Sequence, residues 1–449
     1  MNKLLKIVSI LIATVTLSCT KATHVVGTPV IPPSKIQGKV NTTEQRIKPY
    51  VIMISIDGFR SDYLEKYTPP TLTEWAKTGV KSKGIIPSFP SLTFPNHISL
   101  VTGRRPGSHG IVGNFFYDEK LKKTYGMTDT SSVNNGSWYH AEPLWITAEK
   151  SGMLAATYFW VGSEAKIEET TSTYIMPYKD GVPNGERVDK VIDWLKLPVE
   201  KRPHFIGLYF SDVDSMGHKY GPDAAETKAS ILEIDGHLAR LKAFVDKQKE
   251  DIEIVVVSDH GMKKVERRVD LTAVESLKGF TNSGSGALMY FYTDDDSLIE
   301  PAYKELETMA ATDGGFKVYR ANELPAEWGM NDVDRRGDLV VLGAPGVYMG
   351  YSHRFELEAS KEVRDAVLRA NPFTHGWDAS KDEELHGLFI ANGRQFKKGM
   401  TIDRFDNIHV YPMVLKLLEL QTTQPYEGEL RVLAPILVDN CRVRAVGCR

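Results

Sequence analysis

Four short segments of this 449-residue chain carry residue types that could hold cations: Ser55-Ile56-Asp57-Gly58, Ser211-Asp212-Val213-Asp214-Ser215-Met216-Gly217-His218, Ser258-Asp259-His260-Gly261-Met262 and Thr374-His375-Gly376-Trp377-Asp378. The first three follow strongly apolar runs, and the fourth precedes one. In an open α/β sheet, functional groups gather just past the carboxyl ends of the strands. A lone aspartate there is usually a turn or helix cap, but four such segments, three joining Asp or Ser to His, are hard to explain as caps. Carboxylates mixed with imidazoles suit zinc better than magnesium or calcium, which prefer oxygen alone. The candidate ligands exceed the four that one tetrahedral ion takes, so two ions are expected. Two ions roughly 4 Å apart can hold the attacking and leaving oxygens of an in-line displacement at phosphorus.

Such a site needs a nucleophile. Pro87-Ser88-Phe89-Pro90-Ser91-Leu92-Thr93-Phe94-Pro95-Asn96-His97 offers several hydroxyls at a loop-to-helix junction. A Ser or Thr at that position is ordinarily an N-cap. A helix N-terminus also favours an oxyanion, and a neighbouring cation lowers the hydroxyl pKa, so no histidine base is required.

The elements that position these groups are legible as alternating patterns. Continuous apolar runs at Tyr50 to Ile56, Met153 to Trp160, His204 to Phe210, Ile252 to Val257 and Gly387 to Ile390 predict buried strands. Helical patterns lie between them, at Thr71 to Thr78, Phe94 to Thr102, Pro143 to Lys150, Glu186 to Leu195 and Ala224 to Lys249. The alternation predicts an α/β core with a mainly parallel sheet flanked by helices. From 262 to 371 it loosens into Gly- and Asp-rich turns with two strands, Ala287 to Tyr292 and Asp338 to Leu342, which predicts an inserted cap over one end of the sheet. Helix Asn407 to Leu420 is expected to close the core. There is no internal repeat, heptad, Walker or Rossmann glycine pattern. A net charge of -3 gives no reason to expect a nucleic-acid groove or a polybasic membrane face.

Taken in order, Asp57-Gly58-Phe59-Arg60, Pro90 to His97, Gly103 through Gly110-Ile111-Val112-Gly113-Asn114, Asp214 to Pro222, Ser258 to Met262 and His375-Gly376 resemble the nucleotide pyrophosphatase/phosphodiesterase family of the alkaline phosphatase superfamily. The resemblance runs from about 48 to 425, within a catalytic domain taken as 47–425. It implies an alkaline phosphatase-like fold and hydrolysis of phosphodiester or pyrophosphate bonds, with nucleotides the expected small-molecule substrates. It implies one zinc on Asp57, Thr93, Asp259 and His260, with Thr93 also the nucleophile that becomes transiently phosphorylated. A second zinc would lie on Asp214, His218 and His375 and activate the water that frees the enzyme. Asn114 would hydrogen-bond a non-bridging phosphate oxygen, and Phe94 and Tyr174 would sandwich a nucleobase. The family motif sets aspartate four residues before histidine, which selects Asp214 over Asp212. His97, His109, His353 and His386 match no ligand position and are expected to be structural.

Threonine-dependent phosphate monoesterases of the superfamily clamp their extra charge with Lys-x-Arg. The comparable pair here is Lys166 and Glu168, and a glutamate there would repel a dianion. Sulfatases need a Cys/Ser-x-Pro-x-Arg motif, which is absent. Phosphonoacetate hydrolase, also a two-zinc threonine enzyme, is a further alternative. A catalytically dead surface-binding lipoprotein would have lost a ligand, and all seven inferred ligands are present.

Met1 to Lys6 carries two lysines and Ile7 to Leu17 is an apolar stretch of signal-peptide length. Ser18-Cys19 resembles the end of a bacterial lipobox, so the protein is expected to be exported, periplasmic or held at an outer membrane by a lipid on Cys19. Residues 20–46 read as a flexible tether and 426–449 as a tail in which Cys441 and Cys448 could form a disulfide. The chain is expected to act as a monomer.

Overall fold

Strand β1 (Tyr50–Ile56) is buried along its whole length, and its side chains alternate between two cores. Val51 and Met53 enter one with Trp145, Met413 and Val414; Ile52, Ile54 and Ile56 enter the other with Trp75, Val191, Ile231 and Ile234. A continuous apolar run does this because successive strand residues point to opposite faces, both covered here by helices. The computed structural model describes residues 38–351 and 372–438. The signal-peptide and lipobox reading, His353, and Cys441 with Cys448 lie outside them.

After β1 come α1 (Pro70–Thr78), β2 (Val80–Ser82), α2 (Thr93–Thr102), α3 (Leu144–Lys150), β3 (Ala155–Tyr158), β4 (Tyr174–Met176), α4 (Asn184–Leu195), β5 (Phe205–Phe210), α5 (Asp212–Tyr220), α6 (Ala225–Val245) and β6 (Ile252–Val257). An insertion follows, with β7 (Thr281–Ser285), β8 (Leu288–Tyr292), α7 (Ile299–Asp313), β9 (Phe316–Arg320) and β10 (Leu339–Gly343). The chain then returns to the core with β11 (Phe389–Asn392), β12 (Met400–Ile402) and α8 (Val410–Leu417). The central sheet has eight strands in the order β12-β2-β11-β6-β1-β5-β3-β4. The block β6-β1-β5-β3-β4 is parallel, while β11 runs antiparallel to β6 and to β2. The register Ile56↔Phe210 and Ser55↔Val257 sets the carboxyl ends of β1, β5 and β6 side by side.

The insertion is a four-stranded antiparallel sheet, β7-β8-β10-β9, with its own apolar core around Met289, Phe291, Leu306 and Val341. Residues 41–46, read from the sequence as the end of a tether, pack against the domain. Asn41 is buried, its side chain donating to the Val199 and Arg202 carbonyls at 2.9 and 2.7 Å and accepting from the Leu154 amide at 2.7 Å.

Glu253, fully buried on β6, accepts from the Gln395 amide, and burial pushes its carboxyl up to about 8. A raised carboxyl pKa means that the folded state keeps a proton the unfolded chain has lost, so this group favours unfolding increasingly as pH rises from its usual range toward 8. Glu253→Gln mimics the neutral acid. Thermal melts should find the variant more stable than the parent by about 1–2 kcal/mol at pH 8.5, with the gap closed near pH 4.5; equal melting curves at both pH values would refute the buried neutral acid.

Candidate metal and catalytic site

The carboxyl ends of β1, β5 and β6 deliver Asp57, Asp214 and Asp259 to one place. Asp57 leaves β1 through Gly58, whose φ is +65°. A Cβ there would come within 2.8 Å of the Asp214 Cα, so only glycine lets the end of β1 approach α5 this closely. The Gly58 amide lies 3.2 Å from Asp259 Oδ1, and the Tyr209 hydroxyl donates to Asp57 Oδ2 at 2.5 Å.

The segment after Phe210 is a helix. Asp214 and His218 lie one turn apart on α5, on one face, which is the physical content of the Asp-x-x-x-His spacing. His375 comes from the strand-like segment after the insertion.

Each of the three histidines has Nδ1 against a backbone carbonyl: His218 on Phe373 at 2.8 Å, His260 on Gly261 at 2.9 Å and His375 on Ser91 at 2.8 Å. Donation from Nδ1 leaves each Nε2 as a lone pair, and these face one another. His218 and His375 Nε2 are 3.1 Å apart, and the His260 and His375 rings stack at 3.5 Å. Asp214 Oδ1 lies 3.4 Å from His218 Nε2 and 3.6 Å from His375 Nε2. His260 Nε2 is 3.0 Å from Asp259 Oδ2 and 3.5 Å from Asp57 Oδ1. Asp57 Oδ1, Asp214 Oδ1 and Asp259 Oδ2 are buried with no hydrogen-bond partner. Converging acceptors without donors are strongly unfavourable unless a cation lies among them. This donor set fits a metal, and two overlapping groups could hold one: Asp57, Asp259 and His260, and Asp214, His260 and His375. The first contains three of the four ligands predicted for one ion. In the second His260 stands where His218 was expected, although His218 is within contact of His375.

The electrostatics follow from this crowding. Burial, then Asp259 and Asp214, push the Asp57 carboxyl well above its usual range. Burial also pushes Asp259 up, but His260 and His97 outweigh it and hold Asp259 low. Burial, then His260 and His218, hold the His375 imidazole well below its usual range.

Thr93 is the first residue of α2, and its hydroxyl is 3.3 Å from His260 Nε2. Its carbonyl accepts from His97 Nδ1 at 2.8 Å, while His97 Nε2 meets the Ser55 hydroxyl at 2.7 Å. His97 thus ties the start of α2 to β1. His109 and His386 bond to backbone carbonyls in the interior, as structural residues do. The Asn114 side-chain oxygen accepts from the Phe94 amide at 2.9 Å, which leaves its NH2 group free to donate beside Thr93.

Two expectations are corrected. Tyr174 begins β4 opposite Ala156, four rows and about 13 Å back from Ile56 at the carboxyl end of the sheet. Its hydroxyl donates to Lys201, so it cannot face a substrate at Thr93. Tyr178 is the aromatic near the cluster: it is 48% exposed, and its ring lies 6.5 Å from that of Tyr209, which holds Asp57. A second Tyr four residues on, after Pro177, was the signal for it. Glu168 also lies elsewhere. It pairs with Lys150, next to Glu149, whose carboxylate holds the amide of Ala155 at the start of β3. Glu168 therefore exerts no direct repulsion at the cluster.

The profile of the type I phosphodiesterase / nucleotide pyrophosphatase family matches residues 51–378. An uncharacterized pyrophosphatase/phosphodiesterase of Schizosaccharomyces pombe is 31% identical over 88% of this chain and 82% of its own length. Human ectonucleotide pyrophosphatase/phosphodiesterase family member 1 is 31% identical over 85% of this chain, and venom phosphodiesterase 2 of Crotalus adamanteus 31% over 83%. The chain spans 41% and 45% of those two proteins, less than half of each. Among solved structures, an inactive threonine-to-alanine variant of murine ectonucleotide pyrophosphatase/phosphodiesterase 5 in complex with AMP superposes with a TM-score of 0.77 and 27% identity, covering 87% of this chain and 100% of that one.

Proposed function

The chain belongs to the type I phosphodiesterase / nucleotide pyrophosphatase family, a family of hydrolases, and from that premise we propose that it cleaves phosphodiester or pyrophosphate bonds of nucleotides through a phosphothreonine on Thr93. The observation that carries this reading is the Thr93 hydroxyl at a helix N-terminus, 3.3 Å from His260 Nε2, beside three orphaned carboxylate oxygens. Asp57, Thr93, Asp259 and His260 would hold one zinc, and Asp214, His218 and His375 the other. When bound, the pair supplies positive charge that lowers the hydroxyl pKa and neutralises the phosphoryl oxygens.

The chain's own groups then do the rest. The start of α2 receives the phosphoryl group, whose negative charge the positive end of the helix dipole favours. The Asn114 NH2, aimed by the Phe94 amide, donates to a non-bridging oxygen as charge builds there. The Thr93 oxygen forms a bond to phosphorus as the leaving-group oxygen departs, and water later cleaves the phosphothreonine on the opposite path. With each Nδ1 committed to a carbonyl, the Nε2 lone pairs are the ones that would go to the metals, which would leave none of the three histidines as a general base. An inactive threonine-to-alanine variant holding AMP in the murine relative supports both the nucleophile and the nucleotide.

For the base, Phe94 and Tyr178 replace the expected pair of Phe94 and Tyr174. Tyr178→Ala should raise KM for a nucleotide nitrophenyl diester about tenfold, whereas Tyr174→Ala should leave it unchanged, as steady-state kinetics will read. The decisive panel for the function is that diester, a simple nitrophenyl monoester and a choline phosphodiester. Preference for the monoester would overturn the assignment, and loss of activity on chelation with recovery on adding zinc is the expected companion result.

Among the described residues no helix is long and apolar enough to cross a membrane. Export with a lipid on Cys19 remains our proposal from the sequence; incorporation of labelled fatty acid that disappears in Cys19→Ser tests it.

A further inference from the structure

Asn114 lies in the segment 110–118, whose last residues form a short hairpin, Phe115–Asp118 paired with Lys123–Gly126. What fixes this segment comes largely from the insertion. The Arg335 guanidinium, 1% exposed, donates to the Gly110 carbonyl at 2.7 Å and to Asp118 Oδ2 at 2.8 Å, so one side chain holds both ends. It also donates to the Trp138 carbonyl at 2.8 Å, and its Nη2 is 3.0 Å from His140 Nε2. Between those ends, the Tyr290 hydroxyl on β8 donates to the Val112 carbonyl at 2.9 Å. Tyr292, on the same strand, donates to the Arg335 carbonyl at 2.8 Å. Gly110 must be glycine here: its φ is +88°, and a Cβ would meet the Arg335 Nη1 at 2.6 Å.

These partners bracket Asn114 on both sides, two residues from Val112 and four from each end held by Arg335. All of them but His140 are buried. A buried guanidinium with three buried acceptors, Asp118 and the Gly110 and Trp138 carbonyls, has one geometry open to it, because any shift leaves a charged donor unsatisfied. We propose that the insertion acts as a brace: Arg335 and Tyr290 are positioning residues that set where the Asn114 amide donates, and through it the rate of phosphoryl transfer. The cap over the sheet is then part of the catalytic machinery, although it contributes no group to the reacting atoms.

The inference rests on the proposed role of Asn114, and its test separates the two. Tyr290→Phe removes one hydroxyl and keeps the ring. With the nucleotide nitrophenyl diester it should lower kcat about tenfold with KM within about twofold, because donor placement matters in the transition state more than in binding. In an Asn114→Ala background the same substitution should cost less than about twofold, since its effect runs through that side chain. Arg335→Met should behave alike with a larger factor, and Arg335→Lys should recover part of it; if either arginine variant fails to fold, the tyrosine cycle alone decides. An equal loss from Tyr290→Phe in both backgrounds, or no loss in either, overturns the brace. If Asn114→Ala itself leaves kcat unchanged, the role of Asn114 falls and takes the brace with it.

Discussion

Thr93→Ala is expected to lower kcat on any phosphodiester by on the order of 10⁴-fold or more, because it removes the atom that forms the bond to phosphorus. The loss should not come from collapse of the site. Thr93 opens α2, but its anchorage is backbone: its carbonyl accepts from His97, and the helix capping does not use its hydroxyl. The carboxylates and imidazoles around it are fixed independently, by Tyr209 on Asp57 and by carbonyls on each histidine Nδ1. Metal content by mass spectrometry should therefore remain near that of the parent, and AMP should still bind in calorimetry. Residual turnover within tenfold of the parent would end the assignment. A loss of rate accompanied by loss of metal would instead assign Thr93 as a ligand only, without its nucleophilic role.

Much of this centre could be read from the chain because its parts lie where local patterns are strongest. Asp57 and Asp259 lie within two residues of the ends of fully buried strands, and a run such as Ile252–Val257 has no other stable fate than a strand covered on both faces. His218 was found by spacing but not placed: Ser-Asp-Val-Asp-Ser-Met-Gly-His has the composition of a loop, and only tertiary packing on α6 and the metal-site neighbours makes it a helix. The short strands β2 and β12, three residues each, carry no periodicity to detect, so this edge of the sheet was invisible. Tyr174 and Glu168 failed for one reason. Both sit in the irregular stretch between β3 and α4, where two positive-φ residues, Glu168 and Glu169, reverse the chain. Distance along a sequence says little about position across such a bend. With Glu168 away from the cluster, preference for a diester rests on the family and on the substrate panel, not on a local charge.

His375→Ala tests the number of ions most directly. His375 touches both halves of the cluster: its Nε2 is 3.1 Å from His218 Nε2, and its ring stacks on His260 at 3.5 Å. If the cluster is one site, losing this imidazole should weaken all binding together. If it is two, the Asp57, Asp259 and His260 group keeps its full donor set with Thr93, and only the Asp214 and His218 half is depleted. The second outcome is expected. The variant should hold close to one zinc per chain after dialysis, and kcat should fall by about 10²–10³-fold, in line with the loss of a metal-ligand imidazole and of the ion it holds. Formation of the phosphothreonine uses Thr93 and Asn114, which are untouched, so its cleavage by water should slow more than its formation. Rapid mixing with a nitrophenyl diester should then give a burst of nitrophenolate close to one equivalent, followed by a slow steady rate. Loss of all bound zinc together would sink the two-ion reading, two zincs per chain with an unchanged rate would remove His375 from the ligands, and a slow rate without a burst would place His375 in the first step instead.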